Sequence, residues 1–470
     1  MKFNDILSGI IEAHGIKAAN IHRLTGLKRP YISKLLNGDL VPSSFEQAEK
    51  IVSCFGLSLE EELALIDAFI ECRSSDENKL SWNALKNIYR LEYSVSAEEA
   101  PPQAPESENG SLVTGERLID ELVAVFAASD NIELFFSGIS AEGVDRLCRP
   151  FSSLPDSSSL SWLMPMSGKK ESDALGLFAF TNSLKLMGIK DCTVTKAETD
   201  LNALTQCVPF PFYALAGTAL ILFDADVEKG QVFNDPEIIE LYRKRFEDHF
   251  KEHDPMAFSF EKAEDVLTYC SRYLPLLLGE KNICYIVANE PCIVFDLSKN
   301  AIEDHTIEAG SGHSFADMYT QYLRSFIRST EAFYDICSVG GITDFLDSEE
   351  WYELGKHFSK NILKELRIKA LEAAAANVND TSPMRSLGLR IPDFNRYSFI
   401  GTDIMNGGCL ILVYDFEEKP LVVVANDRAL TTPLISLLTE LKKIGLIDGE
   451  EKTRAFIQTE IEKRKGTEEE

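Results

Sequence analysis

Residues 20–38 have the sequence NIHRLTGLKRPYISKLLNG, which predicts two short helices separated by a tight turn. The first helical run, 17–25, stops at Gly26. The second run ends at Asn37-Gly38, a pair that favours a left-handed helix end. Glycine and asparagine at these two points fix where each helix stops and how the chain reverses.

Amphipathic runs on both sides of this stretch extend the helical pattern. Residues 3–14 (FNDILSGIIEAH) carry apolar side chains at helical spacing. Either Ser43 or Ser44 can cap a helix formed by the residues that follow them, FEQAEKIVSCFG. Ser58 can cap a further helix with the sequence LEEELALIDAFIECR. The sequence therefore predicts an all-α unit of five short helices over residues 1–73.

The pattern resembles the helix-turn-helix core of the lambda-repressor-like, Cro-type (XRE) family. The resemblance rests on Gly26 in the turn, an apolar Leu27 beneath it, a following helix centred on Ile32, and the closing Asn-Gly pair. It implies that this third helix lies in the major groove, where base edges present distinct donor and acceptor patterns. It also implies an apolar core formed by Ile21, Leu24, Leu27, Ile32 and Leu35.

The same resemblance, transferred position by position, implies a DNA-contacting surface. Arg29 and Lys34 are expected to read bases, and Tyr31 and Ser33 to reach bases or backbone. Lys17, at the start of the second helix, Lys28 and Asn37 are expected to contact phosphate. The full set of expected DNA-contacting residues is Lys17, Lys28, Arg29, Tyr31, Ser33, Lys34 and Asn37.

Three residues depart from the family pattern. His22 stands where the family has alanine, so its ring is expected to widen the helix crossing or to turn outward. Lys28 stands where serine or threonine would cap the third helix, which removes a bond worth about 1 kcal/mol. Pro30 falls in the first helical turn, where proline is tolerated but cannot donate a backbone hydrogen bond.

Charge is distributed unevenly along the chain. The formal net charge of the 470 residues is −28, which by itself disfavours binding to a polyanion. Residues 1–45, however, contain six Lys or Arg and only three Asp or Glu. A basic N-terminal unit on an acidic body is therefore expected to bind DNA through that unit alone.

The remaining composition is that of an ordinary soluble globular protein. The 10 cysteines include no CxxC pair, so free thiols are predicted, with no metal site and no cofactor. No apolar stretch is long enough to span a bilayer, and the first residues do not form a signal-peptide pattern. A cytoplasmic location without membrane association is the expectation.

The rest of the chain is predicted to be a large α+β body that mixes helices with antiparallel hairpins. A connecting helix is expected at 74–93 and a flexible Pro-, Ser- and Glu-rich linker at 94–112. Two hairpin-then-helix segments, GTALILFDADVEKGQVFNDPEIIELYRKRF and GCLILVYDFEEKPLVVVANDRALTTPLISLLTEL, suggest two related subdomains. Their expected bounds are 113–280 and 281–470.

These features favour a one-component transcriptional regulator that is not an enzyme and has no catalytic residues. Its expected partners are an operator in double-stranded DNA, a second copy of the chain, and a small-molecule or protein effector of the body. One alternative is an enzyme fused to a DNA-binding head, which a body pocket with convergent titratable residues would favour. Another is a phage- or antitoxin-like repressor whose body only assembles, which a body without an enclosed pocket would favour.

Overall fold

The chain combines N-terminal helices with a large mixed α/β body. The computed structural model describes residues 2–54, 56–92, 108–155, 157–167, 172–190, 192–260, 282–292, 300, 304–305, 317, 330–348, 362–377, 384–390, 399–416 and 420–466. The helices before the body are α1 (Phe3–Ala13), α2 (Ala18–Thr25), α3 (Arg29–Leu36), α4 (Phe45–Val52), α5 (Leu59–Arg73) and α6 (Asp76–Tyr89). We refer to α1–α5 as the head.

Two serines begin helices of the head, and only one of them caps with its side chain. At Ser58 the hydroxyl accepts a hydrogen bond from the amide of Glu61, whose carboxylate accepts one from the amide of Ser58. Ser44 is the N-cap of α4 but makes no side-chain cap bond.

Ser58→Ala is therefore expected to lower the free energy of unfolding by about 1 kcal/mol. Chemical denaturation of the full chain measures this loss. Ser44→Ala is the matched control, because the same change at an N-cap without a side-chain bond should leave stability nearly unaltered. An equal loss in both variants would contradict the assignment of the cap.

The body consists of alternating helices and strands. Its strands are β1 (Ser111–Thr114), β2 (Asn131–Phe135), β3 (Ser159–Met166), β4 (Thr193–Glu198), β5 (Phe212–Ala216), β6 (Ala219–Phe223), β7 (Lys229–Phe233), β8 (Pro255–Phe260), β9 (Asn282–Ala288), β10 (Thr330–Ser338), β11 (Met384–Leu389), β12 (Phe399–Met405), β13 (Cys409–Asp415) and β14 (Pro420–Asn426). Its helices are α7 (Glu116–Ala127), α8 (Ala141–Ser152), α9 (Ala174–Ile189), α10 (Leu201–Cys207), α11 (Pro236–Glu252), α12 (Val339–Asp347), α13 (Lys364–Asn377), α14 (Arg428–Lys443) and α15 (Glu450–Gly466).

The strands form one sheet with an internal repeat. Their order is β1-β7-β6-β5-β2-β3-β4-β8-β14-β13-β12-β9-β10-β11, so adding seven to each label of the first half gives the second half. Directions repeat too: β2-β3-β4 and β9-β10-β11 are parallel, whereas β5-β6-β7 and β12-β13-β14 run antiparallel. We call β1–β7 with their helices the first repeat and β8–β14 with theirs the second repeat.

The parallel triplets correct the α+β expectation, and the body is a mixed α/β structure. α8 lies between β2 and β3, α9 between β3 and β4, and α12 and α13 between β10 and β11. The second repeat begins at β8, whose first residue is Pro255, whereas the sequence predicts a boundary at 280/281. The hairpin-helix likeness that suggested related subdomains lies at corresponding positions, β6-β7-α11 and β13-β14-α14.

The two repeats are joined edge to edge, and a short segment closes the far edge. β4 of the first repeat pairs antiparallel with β8 of the second. At the corresponding edge strand β11, Leu389 pairs instead with Ile447, which follows α14. The amide of Arg390 donates to Leu446 O at 2.8 Å, and that of Asp448 donates to Gly388 O at 2.8 Å. This pairing occupies part of an edge that would otherwise be open to another strand.

Several expected elements differ from the structure. Residues 282–297 have the sequence pattern of a hairpin, but this prediction is wrong for the first strand, because β9 pairs with β10 and β12. The end of the predicted linker is ordered, since residues 111–112 begin β1 and pair with β7. Most of the linker lies outside the described residues. Residues 260–278 and 314–330 have a helical pattern in sequence, and nearly all of both ranges also lies outside the described residues.

Aromatic packing forms the centre of the first repeat. Trp162 is fully buried, and its indole N–H donates to Phe136 O at 2.9 Å. Its ring packs against those of Phe136 and Phe151, with centroids 6.4 and 6.0 Å away. None of the helices in the described part of the chain combines the length and apolarity needed to cross a bilayer.

Candidate nucleic-acid interface

The turn between α2 and α3 is held by side chains of α2. Gly26 has φ +70°, the left-handed conformation that glycine adopts without strain. The Thr25 hydroxyl donates to Ile21 O at 2.7 Å and accepts from the amide of Leu27 at 3.1 Å. The chain therefore leaves α2 in a direction fixed by local hydrogen bonds.

His22 also takes part in this turn. Its Nδ1 lies 2.6 Å from Leu27 O, a distance at which the ring nitrogen donates to the carbonyl. The ring is half-buried and bonded to the turn, so it does not turn out to solvent, which is one of the two outcomes that its size predicts. It satisfies a carbonyl of the turn that an alanine would leave to water.

The start of α3 has the features that the sequence predicts. Lys28 is the N-cap and makes no side-chain cap bond, and Pro30 lies in the first turn. Lysine has no acceptor that could cap the helix amides, and the side chain of Lys28 is exposed. The loss of the cap bond thus leaves a cation at the end of the helix where an anion is favoured.

The core residues of α2 and α3 are confirmed with one exception. Ile21, Ile32 and Leu35 are at most 1% exposed, whereas Leu24 is 58% exposed, so its predicted place in the core is wrong. Ile21, His22 and Thr25 define the inward face of α2, and Leu24 projects about a third of a turn away from it.

Six of the seven expected DNA-contacting residues are exposed. These are Lys17, Lys28, Arg29, Ser33, Lys34 and Asn37. Tyr31 is half-buried, and its hydroxyl donates to Gln47 Oε1 on α4. Burial raises the pKa of the Tyr31 phenol, so the group stays neutral, and its bond to Gln47 assigns it to packing between α3 and α4.

The cations of α2, α3 and their flanks lack acidic neighbours. Within the described residues, no carboxylate lies within ion-pair distance of Lys17, Arg23, Lys28, Arg29 or Lys34. Arg23 is another exposed cation of α2. The resemblance to the XRE family does not assign it a DNA contact, although it is one of the six basic residues counted in residues 1–45.

Three other lysines in or near the head are paired. Lys50 Nζ lies 3.9 Å from a Glu46 carboxylate oxygen, and Lys86 Nζ lies 3.0 Å from Asp67. Lys79 lies within 3.3 Å of Glu71. Lys2 and Arg73, beside the start of α1 and at the end of α5, also have no ion pair among the described residues. The α2–α3 surface, defined by Lys17, Arg23, Lys28, Arg29 and Lys34, thus holds five of the seven such cations of the head.

The head contacts the body through α4. The amide of Phe45 donates to Ile444 O at 2.7 Å, just beyond the end of α14. The guanidinium of Arg390 pairs with Glu49 of α4 and, at 2.8 Å, with Asp448 of the body. These contacts join residues more than 300 positions apart, which no local sequence pattern reveals.

Helix α6 forms the second connection. Asp67 of α5 accepts from the Trp82 indole at 2.7 Å and so holds α6 against the head. On the body side, the amide group of Asn87 donates to Asn182 Oδ1 at 2.5 Å, and the buried Tyr414 hydroxyl donates to Ile88 O at 3.0 Å. The head and α6 thus contact the body through α4 and α6, while Arg29, Ser33 and Lys34 of α3 remain exposed.

No protein-family model matches the chain. No curated protein matches it either. Among solved structures, the chain is similar to a polyphosphate kinase from Porphyromonas gingivalis, with a TM-score of 0.22 and 10% sequence identity. The likeness covers 67% of this chain and 47% of that structure, so the matched part spans about half the length of the kinase.

This finding overturns two expectations from the sequence. The similar structure is an enzyme, so the expectations of a transcriptional regulator and of a chain without enzymatic activity are withdrawn. At a TM-score of 0.22, the likeness gives this chain neither the kinase's fold nor its substrate or reaction.

Proposed function

We propose that the head is a helix-turn-helix unit of the XRE type that binds double-stranded DNA through its α2–α3 surface. The observation that carries the proposal is the set of five exposed cations without carboxylate partners among the described residues. Charges already neutralised by neighbours add little attraction for phosphate, whereas unpaired cations release the counterions of DNA when they bind.

The order of side chains along α3 supports base contacts beside phosphate contacts. Arg29, Ser33 and Asn37 follow one another at four-residue spacing, so they line one side of the helix and its C-terminal end. Arginine can form two hydrogen bonds with guanine in the major groove, and asparagine can do so with adenine. The Lys17 and Lys28 ammonium groups flank this row in sequence and would contact the backbone.

The body is proposed to be the enzymatic part, in the arrangement of an enzyme fused to a DNA-binding head. It contains a cleft of about 410 Å³ whose lining includes Tyr285, Tyr334, Lys442 and Lys443. Convergent titratable side chains in a cleft are the feature that distinguishes this arrangement from a body that only assembles. A second copy of the chain would supply a second head, since one small head reads only half a site.

Salt dependence of DNA binding tests the proposal. Each phosphate that a cation neutralises contributes about −0.9 to the log–log slope for binding of one head to a duplex. Lys17 and Lys28 alone therefore give a slope of about −1.8, and all five cations would give about −4.5. Fluorescence anisotropy of a labelled duplex with the full chain measures this slope. A flat salt response would show that the head makes no phosphate contacts.

Lys28→Ala should weaken binding and reduce the steepness of the slope by about one unit. Lys50→Ala is the matched control, because Lys50 is also an exposed lysine of the head but pairs with Glu46. Equal effects of the two substitutions would contradict the assignment of binding to the α2–α3 surface.

A further inference from the structure

The cleft of the body lies between the second half of α14 and the parallel strands of the second repeat. Tyr285 of β9, Tyr334 of β10 and Leu387 of β11 contribute to its lining from the sheet. Leu438 and Lys442 contribute from α14. A volume of about 410 Å³ is in the range of small-molecule sites, and the mixture of apolar walls with a few polar groups is typical of them.

The first repeat shows why this space is open. The helices α11 and α14 both begin after an Asn-Asp pair whose aspartate caps the helix, Asp235 in one and Asp427 in the other. Aligning these caps places Phe246 opposite Leu438 and Phe250 opposite Lys442. Phe246 and Leu438 are both buried, 2% exposed in each case, which supports the alignment.

In the first repeat two stacked rings occupy the corresponding position. The Phe246 and Phe250 ring centroids are 5.6 Å apart with an interplanar angle of 15°, and both side chains pack against the apolar cluster beneath α11. The second repeat replaces them with a leucine and a lysine, so two aromatic rings are missing from its sheet face. The cleft is thus the space that a pair of planar rings fills in the other repeat.

The sheet side of the cleft is aromatic. The rings of Tyr285 and Tyr334 stack with centroids 4.9 Å apart and an interplanar angle of 12°. Both side chains are half-buried, and burial raises the pKa of the Tyr285 phenol, so this hydroxyl stays protonated and can donate. A planar ring entering the cleft would meet aromatic faces or edges as well as aliphatic side chains.

The α14 side of the cleft carries positive charge. Lys442 Nζ lies 3.2 Å from a Glu450 oxygen, and Lys443 Nζ lies 3.2 Å from a Glu440 oxygen. An ammonium group has three donors, so each lysine can still donate to a ligand. Each ammonium group is already balanced by a carboxylate, so a ligand acid group would be held by hydrogen bonds from the two lysines and not by net positive charge.

We propose that this cleft binds a planar aromatic molecule carrying one carboxylate, with its ring in the position that Phe246 and Phe250 fill in the first repeat. The carboxylate accepts hydrogen bonds from Lys442 and Lys443 at the cleft mouth. This site is independent of DNA binding by the head, so each proposal can fail without the other.

Binding of 2-naphthoate to the full chain, followed by isothermal titration calorimetry, tests the proposal. Saturable binding at one site per chain is expected. Cyclohexanecarboxylate has the acid group without a planar ring. Its dissociation constant should be larger by a factor of at least roughly ten, a difference of about 1.4 kcal/mol. Absence of saturable naphthoate binding, or equal binding of the two acids, would overturn the proposal.

Lys442→Phe restores the ring found in the first repeat and removes a donor, so it should weaken naphthoate binding by roughly tenfold or more. Leu438→Phe supplies a second filling variant at a buried position. The matched control is Lys251→Phe, the same substitution at an exposed lysine of α11, which should leave binding within about twofold. Unaltered binding in Lys442→Phe, with its circular dichroism spectrum unchanged, would also overturn the site.

Discussion

Replacing Arg29 and Lys34 together with alanine is expected to weaken binding of duplex DNA by about two orders of magnitude. Bidentate contacts to bases are worth about 1–3 kcal/mol each, and the loss of two positive charges weakens phosphate binding as well. Both side chains are exposed and have no carboxylate partner in the described structure, so stability should change by no more than about 0.5 kcal/mol per site. Gel-shift titration gives the affinity, and chemical denaturation gives the stability.

The matched control is the double substitution Lys50→Ala and Lys79→Ala. It removes the same amount of charge from neighbouring helices, but from lysines that pair with Glu46 and Glu71. Its affinity for DNA should stay within a few-fold of the parent's. If the control loses as much affinity as the double variant of α3, net charge rather than the α2–α3 surface governs binding.

Gly341→Ala is expected to have the largest effect on stability. A Cβ at this position of α12 would lie 1.7 Å from Asn289 O and 2.7 Å from Ser338 Oγ. The backbone after β9 must therefore move, and the bond from the amide of Gly341 to Ser338 Oγ, 2.7 Å long, is disturbed. A loss of about 3 kcal/mol in the free energy of unfolding is expected, measured by denaturant titration.

Gly9→Ala provides the comparison inside another helix. Nothing lies within 4 Å of a Cβ at Gly9, and this residue is in the interior of α1. Alanine there should raise the free energy of unfolding by roughly 0.5–1 kcal/mol, because the unfolded chain loses less freedom on folding. If Gly341→Ala were as well tolerated as Gly9→Ala, the close approach of α12 to the end of β9 would be wrong.

The helices of the head could be predicted because their signals are local. Gly26 ends α2, the Ser58 hydroxyl and Glu61 form a capping box, and apolar residues repeat at helical spacing. Leu24 was misassigned because helical spacing alone does not locate the centre of the inward face. On this short helix His22 and Thr25 bond to the turn and rotate that face away from Leu24.

The body could be predicted only in its hairpins. β6-β7 and β13-β14 are neighbours in sequence, and their glycines, strands and Asn-Asp pairs are visible as a repeated pattern. The pairing of β9 with β10 and β12, and of β4 with β8, depends on contacts far apart in the chain. Strand order in a mixed sheet is therefore not encoded in any single segment.

The cleft and the contact between the head and the body could not be predicted from the sequence for the same reason. Lys442 looks like an ordinary cation in the last turn of a helix, a position that favours positive charge for local reasons. Only the comparison with Phe250 of the first repeat shows that a ring is missing there. Arg390 similarly meets Glu49 across more than 300 residues, so neither pairing could be found from spacing.

Chemical footprinting of lysines tests the central proposal most directly. The full chain is treated with an amine-reactive reagent, with and without duplex DNA, and labelling of each lysine is measured by mass spectrometry. DNA is expected to protect Lys17, Lys28 and Lys34, which are exposed and have no carboxylate partner in the described structure. Labelling of Lys50 should not change. Protection elsewhere in the chain without protection of these three lysines, or no protection at saturating DNA, would contradict the proposal that the α2–α3 surface binds DNA.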